Sequence, residues 1–390
     1  MLKPKKVIDA FKKNFPGAKF SYFTSPGRIN LIGEHTDYNG GFVLPAAVDK
    51  GISLAIAPNG TTKVNAFSMD YNEKISFDIN DPKKPAQQWA CYIYGVVQEM
   101  KERGAAPGGF DCAFGGDVPL GAGMSSSAAL ESVFGFAINS LFKLGFKREQ
   151  LAKIGQMTEH HYVGVNCGIM DQFASLMGKE GKVIRLDCRS LSYKRVPFNP
   201  KGYKIVLIDT MVKHNLASGE YNIRRAQCEA GVAAIKKDHP EVELLRDVPP
   251  ALLEQYKDKL DPMVYKRCSF VVKESPRLLA GCRDLAKNDI PAFGKKMFET
   301  HDGLSKDYGV SCEELDFIVD VAHKCKGVVG ARMMGGGFGG CVIAIVRSGD
   351  AKAYIEAVQK AYKKKFNLDP RVINVAISDG AKRWNVRKLK

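Results

Sequence analysis

The sequence is short of the features that would place it in several large classes. Its ten cysteines are dispersed, Cys312 and Cys325 being the closest pair, and no CxxC or Cys/His cluster occurs. That excludes a zinc-finger arrangement and a disulfide framework, and cysteines used singly suit a reducing cytosol. Long apolar runs are also missing. The least charged tract, Ser125 to Phe142, opens on glycines and is broken by Glu131, so it reads as a buried helix and not as a membrane span. The opening Met1-Leu2-Lys3-Pro4-Lys5-Lys6 is basic and leads into Asp9, Lys12 and Lys13 without an apolar core, so no signal peptide is expected. Repeats and low-complexity tracts are absent. Acidic residues are in deficit, 42 against 58 lysines and arginines, which leaves a net charge of +16.

That charge raises the question of nucleic acid. The basic residues are spread over Lys3–Lys19, Lys363–Lys365 and Lys382–Lys390 and are interleaved with acids elsewhere. No zinc finger, RNA-binding signature or aromatic–basic stripe accompanies them. A positive field that draws in a nucleotide or a sugar phosphate is the more economical reading, with no nucleic-acid and no membrane partner.

What is present is an ordinary globular composition, 45% hydrophobic and 26% charged, in a chain of 390 residues that has room for two domains. Residues 21–78 read mostly as strands: Ile29–Ile32, Gly41–Val48, Ile52–Ala57, Lys63–Phe67 and Lys74–Asp78, with turns at Asn39-Gly40-Gly41 and Pro58-Asn59-Gly60. A helix is predicted over Trp89–Arg103, a strand over Phe110–Phe114, and helices over Ala128–Phe142 and Arg148–Tyr162. Lys182–Asp187 and Lys204–Asp209 read as strands, and Val196–Gly202 between them is the best linker. The second half is richer in helices: Glu220–Lys236, Met263–Asn288, Pro291–Asp302 and Glu313–Lys324. Strands follow at Val328–Met334 and Cys341–Arg347, then a helix over Ala351–Phe366 and a last strand over Val372–Ile377. That order suggests an α+β half with antiparallel pairing. The whole reads as two α/β lobes with a cleft between them.

Two stretches carry chemistry. In Pro119-Leu120-Gly121-Ala122-Gly123-Met124-Ser125-Ser126-Ser127-Ala128-Ala129-Leu130-Glu131, glycines and serines stand between a strand and a helix. Glycine allows close backbone approach, and a serine-capped helix start would turn free N–H groups and a positive dipole end toward an anion. This outlines a phosphate cradle, but no Gly-Lys-Ser/Thr closes it, so it is not a P-loop; a tight turn with a serine cap is the other reading. In Ser25 to Gly41, Arg28, Glu34, His35 and Asp37 fall within ten residues among glycines and apolar residues. Carboxylates one or two residues apart on a turn can accept from neighbouring hydroxyls such as a sugar ring presents. Singly, His35 reads as a structural histidine and Asp37 as a turn residue.

The segment Gly27-Arg28-Ile29-Asn30-Leu31-Ile32-Gly33-Glu34-His35-Thr36-Asp37-Tyr38-Asn39 resembles the galactokinase signature. Pro119–Ala129 resembles the ATP-binding motif of the wider GHMP small-molecule kinases, and Gly335-Gly336-Gly337-Phe338-Gly339-Gly340-Cys341 their third motif. Val163–Phe173 and His214–Glu229 are also similar to galactokinase segments, so the likeness runs from about Ser21 to beyond Cys341. It implies a two-lobed α+β fold with a mixed-sheet N-terminal lobe (1–198), a ferredoxin-like C-terminal lobe (199–390) and the active site in the cleft. The implied activity is ATP-dependent phosphorylation of galactose at its C1 hydroxyl, which opens galactose catabolism.

The same resemblance implies site roles. Asp171 stands at the catalytic carboxylate, as a base or as an electrostatic partner, with Arg28 beside it; an N-cap is the other reading of Asp171. Glu34, His35, Asp37, Gly168 and Tyr221 match sugar contacts. Trp89 and Tyr92 match an aromatic pair at the adenine. Pro119, Gly121, Ala122, Gly123, Met124, Ser125, Ser126, Ser127 and Ala128 match the nucleotide loop, and Ser127 and Glu159 the ligands of Mg²⁺. One departure is Met334, where many galactokinases carry threonine. Galactose and Mg-ATP are the implied partners, in a cytoplasmic monomer or weak dimer. Rivals are a catalytically silent galactose sensor, disfavoured by the intact Ser126-Ser127-Ala128-Ala129 and Asp171, and a kinase of N-acetylgalactosamine, disfavoured by Tyr38-Asn39-Gly40-Gly41.

Overall fold

Alternation with period two sets the first half of the chain. In the computed structural model, which describes residues 1–119, 121–198, 200–212 and 217–388, a helix comes first, α1 (Pro4–Asn14). It is followed by β1 (Ser21–Asn30), β2 (Phe42–Val43), β3 (Pro45–Pro58), β4 (Lys63–Ser68), β5 (Glu73–Asp78), α2 (Gln88–Glu102) and β6 (Phe110–Gly116). Then come α3 (Ser126–Phe142), α4 (Arg148–Thr158), α5 (Met170–Met177), β7 (Lys182–Asp187) and β8 (Tyr193–Pro197). Along β1, β3 and β6, Phe23, Leu54, Ile56, Cys112 and Phe114 face one core while Tyr22, Ala55, Ala57 and Ala113 face another. Residues of α2 to α5 fill the first core. Helix α1 covers the second with Val7 and Phe11, one turn apart, and Phe15. The opening segment, read from sequence only as a basic stretch, is therefore a helix whose apolar face is the short run of Val7, Ile8, Ala10 and Phe11.

The second half contains β9 (Tyr203–Asp209), α6 (Ala217–Lys236), α7 (Pro250–Glu254), α8 (Pro262–Ala286), α9 (Ile290–Asp302) and α10 (Glu313–Lys324). It closes with β10 (Val328–Met333), β11 (Cys341–Arg347), α11 (Ala351–Phe366), β12 (Arg371–Asn374) and β13 (Lys382–Trp384). Asp261 caps α8 by accepting from the N–H groups of Met263 and Val264, with Pro262 in the first turn; Asp289 does the same for α9 before Pro291. The sheet order is β10-β11-β9-β12, antiparallel throughout. Taken as strands one to four, that is 2-3-1-4, the ferredoxin-like arrangement. Its central strand β11 is buried from Cys341 to Val346, which explains the unbroken apolar run.

The N-terminal sheet has the order β13-β1-β3-β6-β4-β5, antiparallel except for β4 beside β6. Its edge strand β13 comes from the far end of the chain, Tyr22 to Thr24 pairing with Trp384 to Lys382. The expected linker begins later than Val196: Lys182 and Val183 pair with Pro197 and Val196, extending β8, and Phe198 is buried behind them. Asn199, His214 and Leu120 lie outside the described residues. The helix expected over Arg148–Tyr162 is regular only to Thr158; Glu159–Val163 forms a π turn. A third core joins the lobes, packing Ile29, Leu31 and Ile32 against Leu278, Met297, Met334 and Ile343.

Arg332, fully buried on β10, stitches that joint. Its Nε donates to the carbonyl of Leu31 (2.8 Å), its Nη1 to that of Met333, and its Nη2 to that of Asn30 and to Glu34 Oε1 (3.1 Å). A lysine offers one point charge and cannot satisfy this fork. Arg332→Lys is expected to destabilise the protein by about 3–5 kcal/mol, the cost of breaking a buried charge network. A urea or thermal melt matching the wild type would show that the arginine is not needed to hold the lobes.

Candidate functional site

The site is assembled around Arg28, near the end of β1. Gly27 before it admits the carbonyl of Met124, which a Cβ there would meet at 2.6 Å, and Met124 O accepts from Arg28 N–H at 3.1 Å. The guanidinium is buried and grips Asp171 with both arms, Nε to Oδ1 at 2.7 Å and Nη2 to Oδ2 at 2.8 Å, while Nη1 donates to Gly123 O. Ser125 Oγ donates to the same Oδ2. Two cap readings are corrected here. Ser125 has a left-handed backbone (φ 57°) that turns its hydroxyl away from the helix start, so it braces Asp171 and does not cap α3. Asp171 is the second residue of α5, where Ile169 is the N-cap, and its carboxylate faces Arg28.

Gly335 meets Gly123 across the lobes. Both have positive φ, and a Cβ on Gly123 would come within 2.8 Å of Met334 O. Side chains at these positions would wedge the loops apart.

A cavity of about 260 Å³ opens beside this pair, lined by Arg28, Glu34, His35, Asp37, Asp171 and Tyr221, with Gly168, Ser127, Glu159 and Tyr92 also on its wall. Glu34 Oε1 accepts from Gly335 N–H at 2.8 Å and from Arg332. Asp37 reaches in because position 168 is glycine: a Cβ there would sit 1.9 Å from Asp37 Oδ2. Burial first, then the nearby Asp171 charge, raises the Asp37 carboxyl to about 7. Burial lowers His35 to about 3, the Gly336 carbonyl opposing and Arg224 and Arg332 assisting, so its ring is neutral. Its backbone is left-handed (φ 61°). The Tyr221 ring lies 5.2 Å from that of His35.

A second cavity of about 410 Å³ adjoins the first, with Ser127 and Tyr92 on both walls. Trp89, Ser126, Phe114 and Tyr71 also line it. Trp89 Nε1 donates to Glu73 Oε2 at 2.9 Å, and the Tyr71 ring lies parallel to the indole at 6.4 Å. At the junction stands Glu159, at the start of the π turn, 5% exposed. Burial raises it to about 7; the Ser127 hydroxyl bonded to it opposes this, and Asp171 adds to it. A carboxylate and a hydroxyl facing space for phosphate and water are the hard oxygen donors that suit Mg²⁺.

The expected residues thus fall into groups. Arg28, Glu34, His35, Asp37, Gly168, Asp171 and Tyr221 share one cavity, and Trp89, Tyr92, Ser126 and Ser127 the other, with Glu159 between. Pro119, Gly121, Ala122, Gly123, Met124 and Ala128 line neither. Ala122, Met124 and Ala128 are buried and seat the loop. Sequence reasoning missed Tyr71, Arg332 and Tyr308. Tyr71 sits in a turn with no pattern; the partners that draw Arg332 and Tyr308 to the site, Glu34 and Tyr38, stand some 300 and 270 positions away in sequence.

Three family models match the chain: the galactokinase galactose-binding signature over residues 9–58, the GHMP kinases N-terminal domain over 91–179, and the GHMP kinases C-terminal domain over 283–364. The chain is 40% identical over 97% of its length to the galactokinase of Clostridium acetobutylicum, covering 98% of it. It is 40% identical over 91% of its length to that of Thermosipho africanus, covering 97%. The structure of Lactococcus lactis galactokinase complexed with galactose matches with a TM-score of 0.94 at 34% identity, over 96% of this chain and 98% of that one. Methanococcus jannaschii mevalonate kinase, at 17% identity over 94% of this chain and all of that one, matches with a TM-score of 0.63, a likeness of fold alone.

The Asp37 shift has a sign that can be checked. With its folded value raised from 3.8 to about 7, its stabilising contribution is complete below about pH 4 and is lost as pH rises through 7. Asp37→Asn is therefore expected to raise the melting temperature of the ligand-free protein at pH 8, by about 2–4 °C per kcal/mol recovered. The gain should shrink as pH falls and vanish below about pH 4. Scanning calorimetry across pH tests this; an equal effect at both pH values would refute it.

Proposed function

We propose that this chain, which belongs to the galactokinase family of the GHMP kinases, transfers the γ-phosphoryl group of ATP to the C1 hydroxyl of α-D-galactose, releasing ADP and galactose 1-phosphate. The observation that carries the reading is the junction of the two cavities, where Ser127 and Tyr92 belong to both and Asp171 faces inward. We assign the acid-lined cavity to the sugar and the aromatic one to the adenine. Glu34 and Asp37 accept from sugar hydroxyls, His35 and Tyr221 shape the wall, and Gly168 makes room for Asp37. Trp89 and Tyr92, joined by Tyr71, border the base. The α3 start, with Ser126 and Ser127 on the cavity wall, turns N–H groups and a positive dipole end toward the phosphates, and the loop before it seats that start.

Asp171 Oδ2 already accepts from Arg28 and Ser125, whereas among the described residues Oδ1 accepts from Arg28 alone. Oδ1 is therefore the oxygen left to receive the C1 hydroxyl proton. As that O–H bond breaks, the C1 oxygen bonds to the γ-phosphorus and the bond to the leaving ADP oxygen opens. Arg28 orients Asp171 and offsets negative charge where the phosphoryl group moves. Ser127 and Glu159 fit Mg²⁺, which when bound neutralises phosphate charge. The lobes divide near residues 198 and 199, with β13 returning to the first, and we place the protein in the cytoplasm as a monomer or weak dimer.

ADP release over a panel of hexoses with Mg-ATP tests the assignment: galactose should lead, and a preference for N-acetylgalactosamine or no turnover would overturn it. Asp171→Asn should lower kcat about 10²-fold or more while galactose still binds; a near-normal kcat would remove Asp171 from the reaction. Because Mg²⁺ must displace the proton on Glu159, its apparent affinity should climb as pH rises toward 7 and level off above. Ser127→Ala should weaken Mg-ATP use and leave galactose binding intact, as kinetic and calorimetric titrations would read.

A further inference from the structure

A buried chain of hydrogen bonds runs behind the acid-lined cavity. His35 Nε2 lies 3.2 Å from the carbonyl oxygen of Gly336, and His35 Nδ1 lies 2.7 Å from the Tyr38 hydroxyl. That hydroxyl is 2.6 Å from the hydroxyl of Tyr308, which in turn lies 3.3 Å from Cys228 Sγ. Tyr308 is fully buried in the π turn that follows α9, and its backbone is pinned by Arg224 Nε donating to its carbonyl at 3.0 Å.

The direction of every proton follows from one carbonyl. Gly336 O can only accept, so Nε2 carries the hydrogen. In a neutral ring Nδ1 is then bare and accepts from Tyr38. With its proton committed, Tyr38 Oη accepts from Tyr308, and Tyr308 Oη is left to accept from the Cys228 thiol. Four groups from four parts of the fold leave His35 one tautomer. Its surroundings do not favour a charge: Arg224 and Arg332 stand near, the rings of Tyr38, Tyr221 and Tyr308 pack on it, and Asp37 and Glu34 are the neighbouring acids.

We infer that Tyr38 and Tyr308, backed by Cys228, are positioning residues that lock His35 as a donor at Nε2 on the wall of the sugar cavity. His35 would then select a hydroxyl whose oxygen is free to accept, beside Glu34 and Asp37, which only accept when ionised. The 3.2 Å contact to Gly336 is the long link of the chain, and a sugar oxygen can compete for that hydrogen. This rests on the sugar reading of the cavity.

Nitrogen-15 NMR of histidine-labelled protein tests the tautomer without requiring turnover. His35, identified by the signal lost in His35→Gln, should show a protonated Nε2 and a bare Nδ1 unchanged from pH 5 to 9. A proton on Nδ1, or titration within that range, would overturn the inference. Tyr38→Phe should raise the KM for galactose about tenfold, the scale of one buried hydrogen bond, with the KM for Mg-ATP moving less than twofold. Tyr308→Phe, nearly isosteric, should move the galactose KM in the same direction by a smaller factor. Equal shifts in both KM values, or none, would refute the positioning role. A wild-type protein inactive on galactose would instead sink the activity, leaving the tautomer result to stand by itself.

Discussion

The twofold grip of Arg28 on Asp171 is the contact on which the rest of the site depends. Removing a guanidinium from water costs several kcal/mol, and attraction to one carboxylate offsets this only when geometry is good and the remaining donors are used. Both conditions hold: two parallel N–H···O bonds reach Asp171, and the third arm goes to Gly123 O. The pair therefore fixes three segments together, the end of β1, the glycine–serine loop and the start of α5. Because Ser125 is drawn into the same cluster, the loop cannot relax into an ordinary capped helix start. Its left-handed backbone, a conformation serine rarely adopts, is held by that bond and follows Gly121 and Gly123, which are themselves at positive φ.

Around this pair, like charges are crowded to a degree that only ligands would relieve. Glu34, Asp37, Glu159 and Asp171 face one space, and the two least compensated, Asp37 and Glu159, are pushed up to about 7. The ligand-free protein thus carries an electrostatic burden that hydroxyl donors and a cation would lift. Arg332 supplies compensation from the opposite lobe, by way of Glu34. A lobe joint built from a buried arginine and facing glycines tolerates few substitutions, since each position is fixed by backbone atoms that cannot move independently.

Much of this was legible in the sequence where function is local. The run from Arg28 to Asp37 holds four site residues, and Gly168 and Asp171 fall three apart in a stretch whose glycine has a steric reason. Strand and helix periodicity gave the sheet strands and the antiparallel second lobe, because β9 and β11 are apolar runs bounded by turns. What escaped was either weakly patterned or distant. An apolar face confined to Val7–Phe11 was too short to reveal α1. The π turn at Glu159 leaves no compositional mark, and Tyr71 sits in a turn. A serine cap was expected at the start of this helix because serine before a helix usually is one; Ser125, which precedes α3, is drawn instead to a partner 46 residues away. Arg332 and Tyr308 act on residues some 300 and 270 positions earlier, a separation no local pattern encodes.

The strand formed by Lys382–Trp384 has a consequence for biogenesis. It closes the edge of β1, the strand that carries Arg28, yet it is synthesised some 360 residues later. Until then the hydrogen-bonding rim of Ser21–Thr24 stays open, a template for pairing with another nascent chain. The first lobe therefore cannot finish folding during its own synthesis. Its completion waits for Lys382–Trp384, which makes that strand a late seal on a surface that was made first.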